Sequence, residues 1–164
     1  MEQADLEDRT GWPFVTAAIT VTSVDAEATE RSVVALRAEP GRQWRAGELR
    51  FADARQPNDL EMTTNGWRVQ VGPEQTLDLD AMVRRALDMV DEPRLADELR
   101  SGALDGEVSL HIKILKTSDG TLPQAPIGTL SAAVVQRIAT LGVEVDIDLY
   151  VFESDYVEPG VGRP

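Results

Sequence analysis

His111 is the one histidine of the chain, and it stands in a stretch, Glu107 to Leu115, where polar and apolar residues alternate. Nucleophilic catalysis through it would need a Ser or Thr hydroxyl at its ring and a carboxylate behind it. Ser109 is the nearest hydroxyl in sequence, yet residues two apart on a strand lie about 7 Å from one another, beyond hydrogen-bond reach. Glu144, Asp146 and Asp148 alternate along the final strand-like stretch. At that same spacing of about 7 Å they cannot share one proton as a catalytic pair does. They would hold a hard cation only if loops supplied further oxygens. Their first reading is a solvated strand face, and their second a site for a basic partner. The chain has no cysteine, which removes thiol catalysis, disulfides and thiolate zinc, and a single histidine cannot build a multi-His site. It also lacks a Gly-x-Ser-x-Gly elbow, a phosphate-binding loop and a dinucleotide glycine pattern. The expectation is a protein that is not an enzyme, with no catalytic set, no cofactor and no metal.

Trp44 and Trp67 are the next residues with binding potential. Both flank turns, where an indole packs at the edge of a core and bonds its nitrogen to a carbonyl. The functional alternative is an aromatic anchor beside Arg45 and Arg68, since Trp and Arg dominate interface hot spots. The candidate partner-binding set is therefore Trp44, Arg45, Trp67, Arg68, Glu144, Asp146, Asp148 and Tyr150.

Charge narrows the partner. With 29 acidic and 16 basic residues the formal net charge is −13. Such a field repels nucleic acid and anionic lipid and speeds association with a basic protein such as a toxin or nuclease. Solubility alone is the plainer reading of the same number. The first residues, Met1 to Asp8, are acidic and polar, unlike a signal peptide, and no apolar run approaches the roughly 20 residues that span a bilayer. A cytoplasmic location is expected.

The elements that must position these residues follow from periodicity. Residues 1–13 read as a flexible acidic tail, residues 14–153 as one α+β domain, and residues 154–164 as a flexible C-terminal tail. Val15, Ala17, Ile19 and Val21 share one face of a first strand, with Thr16, Thr20 and Thr22 on the other. A helix is expected from Asp25 to Arg37, with Val33, Val34 and Leu36 towards the core. A strand from Gln43 to Phe51 follows, then a polar loop over 52–65, longer than most connections. Trp67 to Val71 forms a strand that Gly72-Pro73 ends. From Asp78 to Val90 the apolar residues Leu79, Met82, Val83, Ala86, Leu87 and Val90 recur at helical spacing. Glu92-Pro93 breaks that helix, and a short one runs from Leu95 to Arg100. Acids at its break, Asp88, Asp91 and Glu92, oppose the helix dipole, a cost that can mark a binding patch. The strand 107–115, a turn-rich stretch 117–128, a helix ending at Leu141-Gly142 and the strand 144–152 complete the order. The first six elements match the ferredoxin-like arrangement. One apolar and one polar face on each strand predicts a mostly antiparallel sheet of about five strands, with helices on one face only. The open face would carry Thr16, Thr20, Thr22, Arg68, Gln70, His111, Lys113, Asp146, Asp148 and Tyr150. If the strands of His111 and Asp148 are neighbours, His111 and Lys113 face Asp146 and Asp148.

Three stretches together resemble a bacterial family. Leu36 to Gly47, with Pro40, Trp44 and Gly47, resembles its Pro-x-x-x-Trp-x-x-Gly signature, and Trp67 its second tryptophan. Ile138 to Val151 is similar to its closing helix, glycine and Asp-Ile-Asp-x-Tyr strand. The family is domain of unknown function 4279. The resemblance implies an uncharacterised, immunity-protein-like binder and supplies no catalytic residue. The expected function is a non-catalytic binding protein, such as an immunity protein neutralising a basic toxin. The alternative is a small-molecule-sensing module of ferredoxin-like type.

Overall fold

The computed structural model describes residues 13–48, 61–115 and 128–152. The expected tails, the strand residues beyond 48, the loop over 52–60 and the stretch 117–127 lie outside the described residues.

Strand β1 (Phe14–Ser23) is the centre of the sheet, with Val15, Ala17, Ile19 and Val21 buried on one face and Thr16, Thr20 and Thr22 on the other. Helix α1 (Ala26–Ser32) starts at Asp25, whose carboxylate accepts from the backbone of Glu27 and Ala28. It is shorter than the expected helix: Val33–Ala35 tighten into a 3-10 turn and Leu36 is already extended. Val34 consequently faces solvent rather than the core. Strand β2 (Arg42–Trp44) is followed by β3 (Asn65–Gln75), which runs through Gly72-Pro73 instead of stopping there. The register with β1 shifts at that point. Gly72 takes φ +94°, and a side chain there would sit 2.4 Å from the Val15 carbonyl oxygen, so this bulge requires glycine.

Helix α2 (Leu79–Asp88) and helix α3 (Glu92–Arg100) are capped by Asp78 and Asp91. Pro93 lies in the first turn of α3, where a missing N–H costs nothing, so it starts that helix rather than only breaking the previous one. Strand β4 (Asp105–Leu115), helix α4 (Ala132–Leu141) and strand β5 (Glu144–Phe152) follow. Gly142 closes α4 in the left-handed conformation. The acids between α2 and α3 are structural: Arg137 of α4 bonds Asp88 at 2.8 Å and Glu92 at 2.5 Å, which ties the three helices together.

Among the described residues the architecture is α+β, a five-stranded sheet in the order β2-β3-β1-β4-β5 with four α-helices. The sheet is mixed, which corrects the antiparallel expectation. Three pairings are antiparallel, but β5 runs parallel to β4, as it must when a helix carries the chain back to the starting end. The core lies between the helices and one face of β3, β1 and β4, built from Val15, Ile19, Val21, Trp67, Val69, Leu110 and Ile112 against Met82, Val83, Leu87 and Leu95.

Candidate functional site

The register shows which side chains share the uncovered face. Arg42 stands opposite Arg68, Arg68 opposite Thr20, Thr20 opposite Glu107, and Glu107 opposite Glu144. A second row runs Gln70, Ala18, Ser109, Asp146, and a third Thr16, His111, Asp148. Lys113 beside Tyr150 forms the fourth. All ten residues expected on the open face lie on it, and no described helix packs over them. The arginines of this face stand on β2 and β3, and its carboxylates on β4 and β5, where His111 and Lys113 also lie.

Asp148 is the busiest of the acids. Its Oδ2 lies 3.2 Å from His111 Nδ1 and accepts from the Tyr150 hydroxyl at 3.0 Å. Tyr150 stacks on His111 on one side and on Phe152 on the other. The hydrogen bond to Asp148 pushes the Tyr150 phenol above its ordinary pKa, with burial and the charges of Asp148 and Asp146 adding to it. Thr16, His111 and Asp148 thus form a hydroxyl–imidazole–carboxylate row across three strands. Among the described residues no hydrogen bond joins Thr16 to His111, so the row lacks the nucleophile–base contact. Ser109, on the same strand face as His111, is buried and its hydroxyl has no partner.

Arg68 lies half-buried on β3. Burial lowers its pKa from the usual arginine value; Glu107 opposes that shift and the neighbouring Arg42 adds to it. Its Nε is buried without a hydrogen-bond partner. With Thr16, Gln70, Pro73, His111, Lys113 and Tyr150 it lines a concavity of about 350 Å³ on the open face. A larger hollow of about 760 Å³ lies at the starts of β4 and β5, between the ends of α3 and α4. Asp105, Glu107 and Glu144 line it with Arg100, and no group of three or more acidic or histidine side chains among the described residues is placed to hold a metal ion.

Trp44 folds over Gly66 on this same face: a side chain on Gly66 would sit 2.3 Å from the Trp44 ring. Arg42 lies 5.7 Å above that ring, and the Trp44 indole N–H is buried without a partner. Trp67 instead points into the core, fully buried, and its indole donates to Ser32 Oγ at 2.7 Å. Arg45 turns away to pair with Glu30 at 3.2 Å. Of the eight candidate residues, Trp44, Arg68, Glu144, Asp146, Asp148 and Tyr150 share the open face, while Trp67 and Arg45 do not.

The other side of β5 carries residues that sequence reasoning missed. Val145, Ile147, Leu149 and Val151 alternate with the acids and are 46%, 56%, 52% and 44% exposed. Alternation alone assigns them to the core. Their exposure reflects where α4 sits, against α3 and α2 rather than over the edge strand, which no local pattern encodes. β5 is paired only with β4, leaving its outer backbone edge unpaired among the described residues.

No described helix is long and apolar enough to cross a membrane. Comparison with curated proteins and with solved structures returns no match. One family model does match, over residues 16–152, and that span holds every strand of the sheet except the first two residues of β1. The chain therefore belongs to the family described as Domain of unknown function (DUF4279).

Proposed function

We propose that this chain is a non-catalytic binding protein whose β5 edge receives an extended segment of a basic protein partner, as an immunity protein neutralising a toxin would. The observation that carries the reading is the chemistry of β5: an edge strand with carboxylates on one face and half-exposed aliphatic residues on the other. An added strand would take backbone hydrogen bonds from the edge that is unpaired among the described residues and place alternate side chains on the two faces. Complementarity then specifies it, with Lys or Arg beside Glu144 and Asp146 and apolar residues beside Ile147 and Leu149. Glu144 and Asp146 are exposed and, among the described residues, form no ion pair of their own. The net charge of −13 steers such a partner in, and a cytoplasmic location belongs to this reading.

The non-catalytic part rests on Ser109 being buried and on Thr16 making no bond to His111. The strand order β2-β3-β1-β4 with antiparallel neighbours, α1 lying between β1 and β2 and α2 and α3 between β3 and β4 in the chain, supports a ferredoxin-like-related two-layer arrangement extended by α4 and β5. A second reading, a small-molecule-sensing module, is favoured by the concavity around Arg68.

The test is an interaction assay with the partner and the E144K/D146K double variant. Wild type binding that weakens about a hundredfold on charge reversal, with β5 amides protected from hydrogen exchange in the complex, supports the reading. Binding indifferent to the reversal, or a homo-oligomer sealed through β5, overturns it.

A further inference from the structure

We propose that the concavity over β3, β1 and β4 is an oxyanion site, in which Arg68 holds the phosphoryl or carboxylate group of a small molecule. This deepens the small-molecule reading and is independent of the β5 partner.

Three observations converge on it. Within a strongly acidic chain, Arg68, His111 and Lys113 line one concavity of about 350 Å³. Thr16, Gln70 and Tyr150 add neutral hydrogen-bonding groups to the same wall. A cavity of that size lies at the small end of ligand pockets and suits a compact molecule.

The second observation concerns unsatisfied groups. Buried side-chain polar atoms in folded proteins nearly always have partners, and an orphan calls for a reason. Among the described residues the orphans are Trp44 Nε1, Arg68 Nε and Ser109 Oγ. All three sit on the open face, and none on the helix-covered side. All three can donate, and two of them, the indole and the guanidinium, are donors only. Of the three only Arg68 lines the concavity, and its unmade N–H bond calls for an acceptor there.

The third is electrostatic. Arg68 stands directly opposite Arg42 across β3 and β2. Burial is the largest influence on its guanidinium, lowering its pKa ahead of the opposing attraction of Glu107 and the smaller repulsion of Arg42. A half-buried cation here gains from an anion that bonds it directly. Glu107 compensates only as a neighbouring charge, since no bond between it and Arg68 exists among the described residues. An oxyanion at Arg68 would supply the charge-assisted bonds that geometry leaves unmade. His111, its Nδ1 held at Asp148, presents the remainder of its ring to the same hollow.

The experiment is a titration of the nitrogen-15-labelled full chain with sodium phosphate, and separately sodium acetate, at constant ionic strength set with sodium chloride. Saturable shifts at the amides of Thr16, Arg68, His111 and Lys113 are expected, with R68Q weakening the midpoint by about tenfold or more. Saturation by phosphate alone assigns a phosphoryl ligand, and saturation by both admits a carboxylate. Shifts that stay linear with concentration for both anions, or that are unchanged in R68Q, overturn the proposal. If R68Q loses its dispersed spectrum, K113M is read by the same criteria. No partner protein enters the measurement, so its failure leaves the β5 reading standing, and the reverse also holds.

Discussion

The two faces of one sheet are built to different rules. On the helix-covered face the apolar residues of β1, β3 and β4 are almost entirely removed from water, and the one large polar group there, the Trp67 indole, is satisfied by Ser32. On the other face polar and charged side chains line up in rows, and the three orphaned donors among the described residues collect there. The first face holds the fold together. The second carries unfavourable features that stability alone would not select. Edge strand β5 extends the contrast, because its apolar side belongs to the covered face by alternation yet stays half-exposed, with no described helix over it.

Substitutions can break or sharpen this contrast. The largest effect is expected on the covered face: W67A should cost about 3–5 kcal/mol in chemical denaturation, from the cavity and from the Ser32 hydroxyl left without its donor. A cost under about 1 kcal/mol would mean the two faces do not differ as described.

Next comes G66A, where the open face does contribute to the fold. A methyl group would meet the Trp44 ring at 2.3 Å and the Val21 carbonyl oxygen at 2.7 Å. Destabilisation of about 1–3 kcal/mol is expected by overpacking. In W44A/G66A the part due to the ring should vanish while the contact with the Val21 carbonyl remains, so the penalty should fall without disappearing. Equal penalties in both backgrounds would refute the ring contact.

R68M should be smaller and opposite in sign. It removes a half-buried charge and an orphaned N–H while keeping the aliphatic stem, so stability should stay level or rise by up to about 1 kcal/mol. A loss of about 2 kcal/mol would make Arg68 a structural residue and move it off the functional side of the comparison.

The smallest effect is a titration. Tyr150 has its pKa raised above the ordinary 10.0, first through its hydrogen bond to Asp148. A raised folded pKa contributes stability that is fully present below the unfolded value and lost as pH rises through the folded one. With Tyr156, the chain's other tyrosine, replaced in a Y156F background, ultraviolet titration should therefore show ionisation above 10.0, moving down towards it in D148N. An unchanged titration in D148N would show that the bond is not formed in solution.

Much of the covered face was legible in the sequence, because burial there follows local periodicity. The strand alternation of β1, the helical spacing from Leu79 to Leu87 and the closing Gly142 each point to the element that forms. The open face was legible too, since the same alternation that buries Val15 and Ile19 exposes Thr16 and Thr20. Other features depended on neighbours that the sequence does not name. Trp67 and Arg68 are adjacent, yet pleating sends one into the core and the other to the concavity. The parallel direction of β5 follows from the crossover through α4, and the exposure of Ile147 and Leu149 from where α4 packs. Asp88 and Glu92 read as a charge conflict until Arg137, distant in sequence, joins them.

The most direct test of the β5 assignment is quantitative co-purification of the wild-type chain and of E144K/D146K from the native host at low salt. Bound proteins are identified, then rebound to the purified chain with hydrogen exchange recorded along residues 144–152. The account predicts a stoichiometric basic protein that protects this strand and is lost on charge reversal. A partner that protects other elements, or that binds the reversed variant equally well, would contradict it.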